Sequence, residues 1–235
     1  MQAVILAGGL GTRLRPLTYD IPKPLIPVGG RPFLHYLLDM LAENGIADIV
    51  LCVGHLGDKV VESVHDGQRF GCRIKYSFEK ELLGTGGAIK NAENVLDDEF
   101  IVLNGDTCHP IDYRDLVKFW HDRKEGHEGL IVLYENRDLI VDNNVRVDDG
   151  GNVVEYNKAG VIGNGYVDGG VQVFRKSVFK DMPTNTPISL EKEIYCKIIN
   201  AGEMLAYITP VRYYDIGTPE RIRVFEDYLD SVRKA

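Results

Sequence analysis

The stretch LAGGLGTRLRPLTYDIPKPLIPVGGRP, residues Leu6–Pro32, decides the fold because it joins a buried strand to a helix. The preceding apolar run, Ala3–Ala7, is typical of a buried strand. A simple connection needs only about two to six residues, and this one is far longer. It contains glycines near its start, prolines on both sides of Lys23, and basic residues in a chain that is acidic overall. A long basic loop directly after a buried strand predicts an anion-binding site at the edge of a sheet.

Length and composition favour a single domain over residues 1–235. The chain has 235 residues, a formal net charge of −8 and 44% hydrophobic residues, enough for one sizeable core. The acidic balance argues against wholesale binding of nucleic acid or of an anionic membrane. The four cysteines lack metal-ligand or redox spacing and are expected to be reduced thiols of a cytoplasmic protein. No signal peptide is expected, and no apolar stretch approaches the ~20 residues that span a bilayer.

Strand-like and helix-like segments alternate along the chain, which predicts an α/β fold with a Rossmann-like mixed, mostly parallel sheet and helices on both faces. A hairpin is predicted around Asp149-Gly150-Gly151-Asn152. Thr218 and Pro219 are typical of the start of a helix. The predicted strands are Ala3–Ala7, Ile49–Val53, Arg73–Phe78, Phe100–Leu103, Leu130–Glu135, Val167–Phe174 and Val211–Tyr214, and the predicted helices are Phe33–Asn44, Asp58–His65, Gly86–Leu96, Tyr113–Lys124, Leu190–Ala201 and a last one from Thr218.

The glycines of the first loop suit a phosphate. Gly8, Gly9 and Gly11 let backbone amides approach an anion without a Cβ in the way, and Arg13 and Lys23 add positive charge. The loop is neither the G-x-x-x-x-G-K-[ST] phosphate loop nor the G-x-G-x-x-G dinucleotide loop. A glycine-rich turn followed by a plain surface loop is the structural alternative.

The full pattern is more specific than the glycines. Gly8-Gly9-Leu10-Gly11-Thr12-Arg13-Leu14 followed by Pro22-Lys23-Pro24-Leu25-Ile26-Pro27-Val28 resembles the signature of sugar-1-phosphate nucleotidyltransferases. Later blocks follow in the family's order: Leu83-Gly84-Thr85-Gly86-Gly87-Ala88, Leu103-Asn104-Gly105-Asp106, Asp168-Gly169-Gly170 and Asp215-Ile216-Gly217-Thr218-Pro219. Within the family, the sequence looks most similar to guanylyltransferases that act on heptose or mannose 1-phosphates. No C-terminal β-helix domain is expected, because no hexapeptide repeat follows the last helix.

The resemblance implies a glycosyltransferase-A-like fold and a reaction in which the sugar phosphate attacks the α-phosphorus of a nucleoside triphosphate. It implies catalytic roles for Arg13, Lys23 and Asp106, with Mg²⁺ held by Asp106 and Asp215. The other implied nucleotide-binding residues are Leu6, Ala7, Gly8, Gly9, Gly11, Thr12, Glu79, Gly84, Thr85, Gly86 and Gly87, and the implied sugar-phosphate-binding residues are Gly105, Asn157, Lys158, Asp168, Gly169 and Gly170.

Two positions depart from the family pattern, and His109 invites another interpretation. The family has Glu-Lys where this chain has Asn157-Lys158, and commonly has Asn in place of Asp168. His109 follows Asp106 closely but is expected to be a loop histidine, because no further nitrogen or sulfur ligand has suitable spacing. By the resemblance, Leu83–Ala88 would meet the base and offer it free amides at a helix N-terminus.

The implied partners are a nucleoside triphosphate, with GTP favoured, and a sugar 1-phosphate; the sequence leaves a homo-oligomer open. Three other interpretations remain. The nucleotide could be UTP, dTTP or CTP, or the substrate an alcohol phosphate that aromatic residues such as Tyr213 hold. The chain could also be a catalytically silent regulatory subunit that binds sugar nucleotides, although the presence of Arg13, Lys23, Asp106 and Asp215 favours an enzyme.

Overall fold

In a computed structural model, the chain is described over residues 1–139, 141–161 and 165–234. The strands within these ranges are β1 (Gln2–Leu6), β2 (Pro27–Val28), β3 (Arg31–Pro32), β4 (Asp48–Val53), β5 (Arg73–Phe78), β6 (Glu99–Asn104), β7 (Thr107–Cys108), β8 (Gly129–Tyr134), β9 (Val145–Val147), β10 (Val153–Tyr156), β11 (Val167–Arg175), β12 (Met204–Thr209) and β13 (Tyr214–Asp215). The α-helices are α1 (Phe33–Glu43), α2 (Gly57–Val64), α3 (Gly84–Asn91), α4 (Tyr113–Arg123), α5 (Cys196–Ala201) and α6 (Pro219–Lys234).

A seven-stranded sheet forms the centre, in the order β12-β8-β11-β6-β1-β4-β5. Its neighbouring strands run parallel except at β11, which pairs antiparallel with both β6 and β8. The inner strands are nearly continuous apolar runs because helices cover both faces of the sheet. The predicted mixed, mostly parallel sheet is therefore confirmed.

Each face of the sheet packs against its own hydrophobic cluster. One cluster joins the sheet to α1, α2, α4 and the α6 residue Phe225. The other joins the opposite face to α3, α5 and the segment before α5, with Phe174 and Tyr195 among its large buried side chains. The two helix layers hold the sheet rigidly and leave its carboxyl edge for loops. In the described part of the chain, no helix is long and apolar enough to cross a membrane.

Most predicted elements agree with the structure to within one or two residues, and two helices differ in extent or type. The helix predicted at Gly86–Leu96 begins at Gly84 and ends at Asn91, where a 3₁₀ turn follows. The helix predicted at Leu190–Ala201 starts as a π-helical turn over Leu190–Tyr195. The predicted hairpin is present as β9 and β10.

The strand predicted at Val211–Tyr214 is wrong. Only Tyr214 and Asp215 form a strand there, and it pairs with β7 instead of the main sheet. The edge position beside β8 belongs to β12, which the sequence analysis did not predict. All four cysteines are free, as expected, and Cys196 is the exposed one.

Candidate active site

The carboxyl ends of two neighbouring strands open the candidate site. Leu6 at the end of β1 lies opposite Asn104 at the end of β6, and the Gly105 amide donates to the Leu6 carbonyl over 3.0 Å. A Cβ at Gly105 would lie 2.5 Å from that carbonyl oxygen, so the close approach requires glycine. The strand ends are thereby locked together, and the loops that follow them face the same cleft.

A cavity of about 310 Å³ lies at this edge. It brings together many of the residues predicted for the site from distant parts of the sequence. They are Leu6, Ala7, Gly8, Gly9, Lys23, Glu79, Gly84, Thr85, Gly105 and Asp106. Sequence reasoning missed the other lining residues, which are Pro24, Leu82, Ala88, Asn104 and Glu191. Asn104 and Ala88 were inside quoted motifs, whereas no sequence signal marked Glu191.

Lys23 and Asp106 form an ion pair at the cavity. Lys23 opens a 3₁₀ turn after the extended residue Pro22, and its side chain is only 11% exposed. Its Nζ donates to Asp106 Oδ2, while the Thr107 hydroxyl donates to Asp106 Oδ1 over 3.1 Å. The proline-stiffened loop therefore delivers a positive charge to the carboxylate that ends the β6 motif, although the two residues are far apart in sequence.

Glu79 places a second carboxylate against the glycine loop. It directly follows β5, and its Oε2 accepts a hydrogen bond of 3.0 Å from the Leu83 amide. A Cβ at Gly8 would lie 2.5 Å from Glu79 Oε1, which shows how closely the loop passes. Burial raises the pKa of Glu79 despite the hydrogen bond from Leu83. An acceptor group therefore lies in the wall of the cavity.

The start of α3 differs from the expectation of free amides. The amides of Gly86 and Gly87 both donate to the Ile188 carbonyl, over 2.8 and 3.2 Å. A Cβ at Gly87 would lie 2.6 Å from the Thr186 carbonyl oxygen, so these glycines serve close packing of two backbones. Neither lines the cavity, and the expectation that their amides are free for the base is wrong.

The second half of the first loop lies beside the cavity rather than in its wall. Gly11 has a left-handed backbone with φ of 61°, and Thr12 and Arg13 begin a 3₁₀ turn on the exposed side. Arg13 reaches toward the turn after β13, since a Cβ at Gly217 would lie 3.5 Å from Arg13 Nη2. Arg13 is thus brought to the segment that carries Asp215.

β13 brings Asp215 next to the Asp106 backbone. Asp215 pairs with Thr107 across the short ladder, and the Ile216 amide donates to the Asp106 carbonyl over 3.0 Å. The Asp215 carboxylate accepts from the Gly217 amide at 2.8 Å and from Arg221 Nη1 at 2.7 Å. Within the described ranges, no group of three His, Cys, Asp or Glu side chains could hold a metal. Two carboxylates on adjoining backbone segments nevertheless fit Mg²⁺, which completes its coordination with phosphate oxygens and water.

Apart from Gly105, the residues predicted for the sugar phosphate lie outside the cavity wall. Lys158 is 63% exposed and pairs over 2.7 Å with Glu191, which does line the cavity. Asn157 accepts a hydrogen bond from the Ala159 amide over 3.0 Å, which turns the chain after β10. Lys158 therefore reaches the rim of the site, and Asn157 shapes the loop that carries it.

Asp168 turns into a polar network rather than toward the cavity. Its carboxylate accepts hydrogen bonds from the Gly170 amide at 2.9 Å and the Tyr156 hydroxyl at 3.2 Å. Burial raises the pKa of Asp168 to about 6, although the Gly170 hydrogen bond opposes the shift. This arrangement fixes the bulge of β11 that separates its pairing with β8 into two parts.

His109 is a core residue and not the loop histidine expected from the sequence. Its side chain is buried, and its Nε2 hydrogen-bonds the Val211 carbonyl at 2.8 Å. A Cβ at Gly169 would lie 2.2 Å from His109 Nδ1, so glycine is needed where β11 passes the ring. Burial lowers the pKa of His109 to about 4, which keeps the imidazole neutral. The ring therefore ties the segment before β13 to β7.

Comparisons with known proteins agree with this geometry. A model of the nucleotidyl transferase family matches residues 2–230. The D-glycero-alpha-D-manno-heptose 1-phosphate guanylyltransferase of Campylobacter jejuni is 35% identical over 94% of this chain and 96% of its own length. The UTP–glucose-1-phosphate uridylyltransferase of Synechocystis is 31% identical, and the match covers 99% of this chain but 63% of that protein.

A solved structure extends the likeness to three dimensions. The crystal structure of HddC from Yersinia pseudotuberculosis complexed with GMP-PN has a TM-score of 0.84 and 32% sequence identity to this chain. The match covers 97% of this chain and 99% of that one. Because the family model matches nearly the whole chain and the relative from Campylobacter jejuni is similar over nearly its whole length, this chain belongs to the nucleotidyl transferase family.

Proposed function

We propose that this protein is a sugar-1-phosphate guanylyltransferase. It joins GTP to a sugar 1-phosphate, heptose 1-phosphate or mannose 1-phosphate, and releases pyrophosphate. The observation that carries the proposal is the Lys23–Asp106 ion pair beside the glycine loop, in a cavity whose wall also contains Glu79. The relative from Campylobacter jejuni is named as a heptose 1-phosphate guanylyltransferase, and the match covers nearly its whole length. This similarity supports the choice of sugar and base.

The reaction brings together two anions, so positioning and neutralisation of charge supply most of the acceleration. The backbone of Gly8 and Gly9 would receive the triphosphate, and Lys23 would contact the α-phosphate where the new bond forms. Arg13, which lies toward the Asp215 segment, would hold the β- and γ-phosphates that leave as pyrophosphate. Lys158 at the rim would bind the phosphate of the sugar. No covalent intermediate with the protein is required.

The carboxylates of Asp106 and Asp215 would hold Mg²⁺. Their two-carboxylate donor set suits this ion, and the remaining ligands would be phosphate oxygens and water. When bound, Mg²⁺ neutralises the charge that develops on the phosphate oxygens during in-line attack. Asp215 lies on the β7–β13 ladder and Asp106 directly precedes β7, so the ladder would help to set the spacing of the two carboxylates.

Glu79 supports guanine as the base. Guanine presents two adjacent donors, its N1–H and its 2-amino group, and a carboxylate accepts both at once. Uracil and thymine present a single N–H between two carbonyl oxygens, which a carboxylate would repel. Since Glu79 lies in the cavity wall beside the glycine loop, its acceptor oxygens favour GTP over UTP and dTTP.

A uridylyltransferase is the second candidate, because the relative from Synechocystis carries that name at 31% identity. Replacing Glu79 by Gln separates the two candidates. If Glu79 selects guanine, E79Q loses at least ~10-fold in kcat/KM with GTP, the scale of a charged hydrogen bond, while its rate with UTP rises or stays level. Glu81→Gln on the same exposed loop is the matched control. An unchanged ratio of GTP to UTP rates in E79Q would contradict the role of Glu79.

The products identify the reaction itself. The purified protein is incubated with GTP, Mg²⁺ and either heptose 1-phosphate or mannose 1-phosphate. The products are then separated and identified by mass spectrometry. The proposal predicts one GDP-sugar and one pyrophosphate per turnover. Release of GDP or free phosphate without a sugar nucleotide would contradict it.

A further inference from the structure

Both oxygens of Asp215 are occupied by protein donors. Oδ2 forms an ion pair of 2.7 Å with Arg221, and Oδ1 accepts the Gly217 amide. The Asp215 side chain is 16% exposed, whereas Arg221, in the first turns of α6, is 44% exposed. A guanidinium therefore covers the exposed side of this carboxylate, and a metal ion that approaches Asp215 meets Arg221.

Asp106 is engaged in a parallel way. Lys23 bonds one of its oxygens and Thr107 the other. Each carboxylate of the proposed Mg²⁺ site thus carries its own cation. The two cations differ in their other duties: Lys23 belongs to the phosphate loop, while Arg221 lies just beyond the Asp215–Pro219 block and has no assigned part in the reaction.

The charge of Arg221 is permanent. A guanidinium stays protonated at any working pH, and its planar donors match a carboxylate well. The negative charge of Asp106 also helps to raise the pKa of Arg221, although the ion pair of Arg221 is with Asp215. Repulsion between Arg221 and a divalent cation at Asp215 therefore persists at every working pH.

We propose that Arg221 competes with Mg²⁺ for Asp215 and weakens the affinity of the protein for free metal ions. The proposal rests on the Mg²⁺ site of the proposed function. A metal ion at Asp215 must displace the guanidinium or accept its repulsion. The consequence is that free Mg²⁺ does not fill the site ahead of the nucleotide, whose phosphate oxygens add ligands and offset the positive charge.

The test is a titration of the purified, substrate-free protein with Mn²⁺, followed by electron paramagnetic resonance of the unbound ion. We expect Arg221→Gln to bind Mn²⁺ about tenfold more tightly than the wild type, the scale of removing a charge a few ångströms away at a protein surface. Arg221→Lys keeps the charge and should restore weak binding. Arg223→Gln, an exposed arginine on the same helix that is not bonded to Asp215, is the matched control and should behave like the wild type.

The double variant Asp215→Asn/Arg221→Gln checks that the tighter Mn²⁺ binding depends on Asp215. This double variant should lose the gain in Mn²⁺ affinity. Unchanged or weaker Mn²⁺ binding in Arg221→Gln, equal tightening in Arg221→Lys, or a gain that survives in the double variant would each overturn the proposal. Arg221→Met serves as a second charge-removing variant if Arg221→Gln does not fold, and the same outcomes apply. Because the titration contains no nucleotide or sugar, its result is separate from any failure of the guanylyltransferase assay.

Discussion

At the scale of single residues, Lys23 carries the largest share of the proposed chemistry. It is mostly shielded from solvent and faces Asp106 at the cavity. Lys23→Ala should lose at least ~100-fold in turnover, the scale of deleting one contact to transition-state charge. Arg13→Ala should fall as far if it holds the leaving phosphates, whereas the exposed Arg15→Ala should keep most activity. Steady-state pyrophosphate release measures all three, and a near-normal rate in Lys23→Ala would remove its assigned role.

Gly169 and Gly9 differ in the room that each leaves for a side chain, and alanine variants of the two glycines separate a packing role from a role in binding the anion. A Cβ at Gly169 would lie 2.2 Å from the buried His109 ring, and a Cβ at Gly9 would meet nothing within 4 Å. Gly169→Ala should therefore unfold more easily by about 1–3 kcal/mol, the usual cost of overpacking. Gly9→Ala should change the free energy of unfolding by less than ~0.5 kcal/mol. Urea denaturation compares them, and equal stability of the two variants would contradict the packing role of Gly169.

At the scale of elements, the β7–β13 ladder brings Asp215 beside Asp106, because Asp215 pairs with Thr107 and the Ile216 amide donates to the Asp106 carbonyl. Thr218 already caps α6, since its hydroxyl accepts the Arg221 amide, so Asp215 is not needed as a cap. Asp106→Asn and Asp215→Asn should each abolish Mg²⁺-dependent turnover. Loss of the part-exposed Asp215–Arg221 pair should lower stability by only about 1 kcal/mol or less.

Activity at ordinary Mg²⁺ and thermal melting are measured together for both variants. Substantial turnover in Asp215→Asn would remove it from the site and leave Asp106 as the only acidic ligand. A large drop in melting temperature with little loss of rate would instead assign Asp215 a structural role through Arg221 and Gly217.

The elements also show what the sequence could predict and why the rest escaped. Buried strands such as β1 and β4 are nearly continuous apolar runs, so their existence and order follow from local pattern. Long-range contacts do not follow from local pattern. The carbonyl of Ile188 takes the amides of Gly86 and Gly87, which shifts the start of α3 and removes the free amides expected there. β12 has a similar apolar run over Met204–Ile208, so local pattern could have indicated it, whereas its place at the sheet edge is set by pairing with β8.

The candidate site divides in the same way. Gly8 and Asp106 meet at one cavity, as their positions just after neighbouring strands predict, and the long first loop brings Lys23 to the same cavity. Glu191 enters the cavity from a π-helical turn that no periodicity indicates. His109 is buried because Gly169 of β11 passes close to its ring. The local sequence around His109 does not show that this distant segment packs against it.

At the scale of the whole molecule, Asp168 links stability to pH. Its folded pKa of about 6 lies above its ordinary value of 3.8 because of burial. The folded state therefore binds this proton more tightly than the unfolded state. The stability that the group contributes is complete below about pH 4 and is lost as pH rises through about 6.

Asp168→Asn removes this titration. Between about pH 4.5 and pH 7.5, we expect the free energy of unfolding of the wild type to fall by about 2 kcal/mol relative to that of Asp168→Asn. The variant therefore gains stability relative to the wild type as the pH rises. Urea denaturation at several pH values measures the difference, and the exposed turn variant Asp149→Asn is the control. A difference that does not change with pH would contradict the raised pKa of Asp168.

The most direct test of guanylyl transfer is one matrix of initial rates of pyrophosphate release. It crosses GTP, UTP, dTTP, CTP and ATP with mannose 1-phosphate, heptose 1-phosphate and glucose 1-phosphate, at fixed Mg²⁺. The cavity wall, with the carboxylate of Glu79 beside the glycine loop, predicts the fastest release with GTP and either mannose or heptose 1-phosphate. Faster release with UTP or dTTP would contradict the choice of base, and no release with any pair would contradict the assignment of this protein as an active transferase.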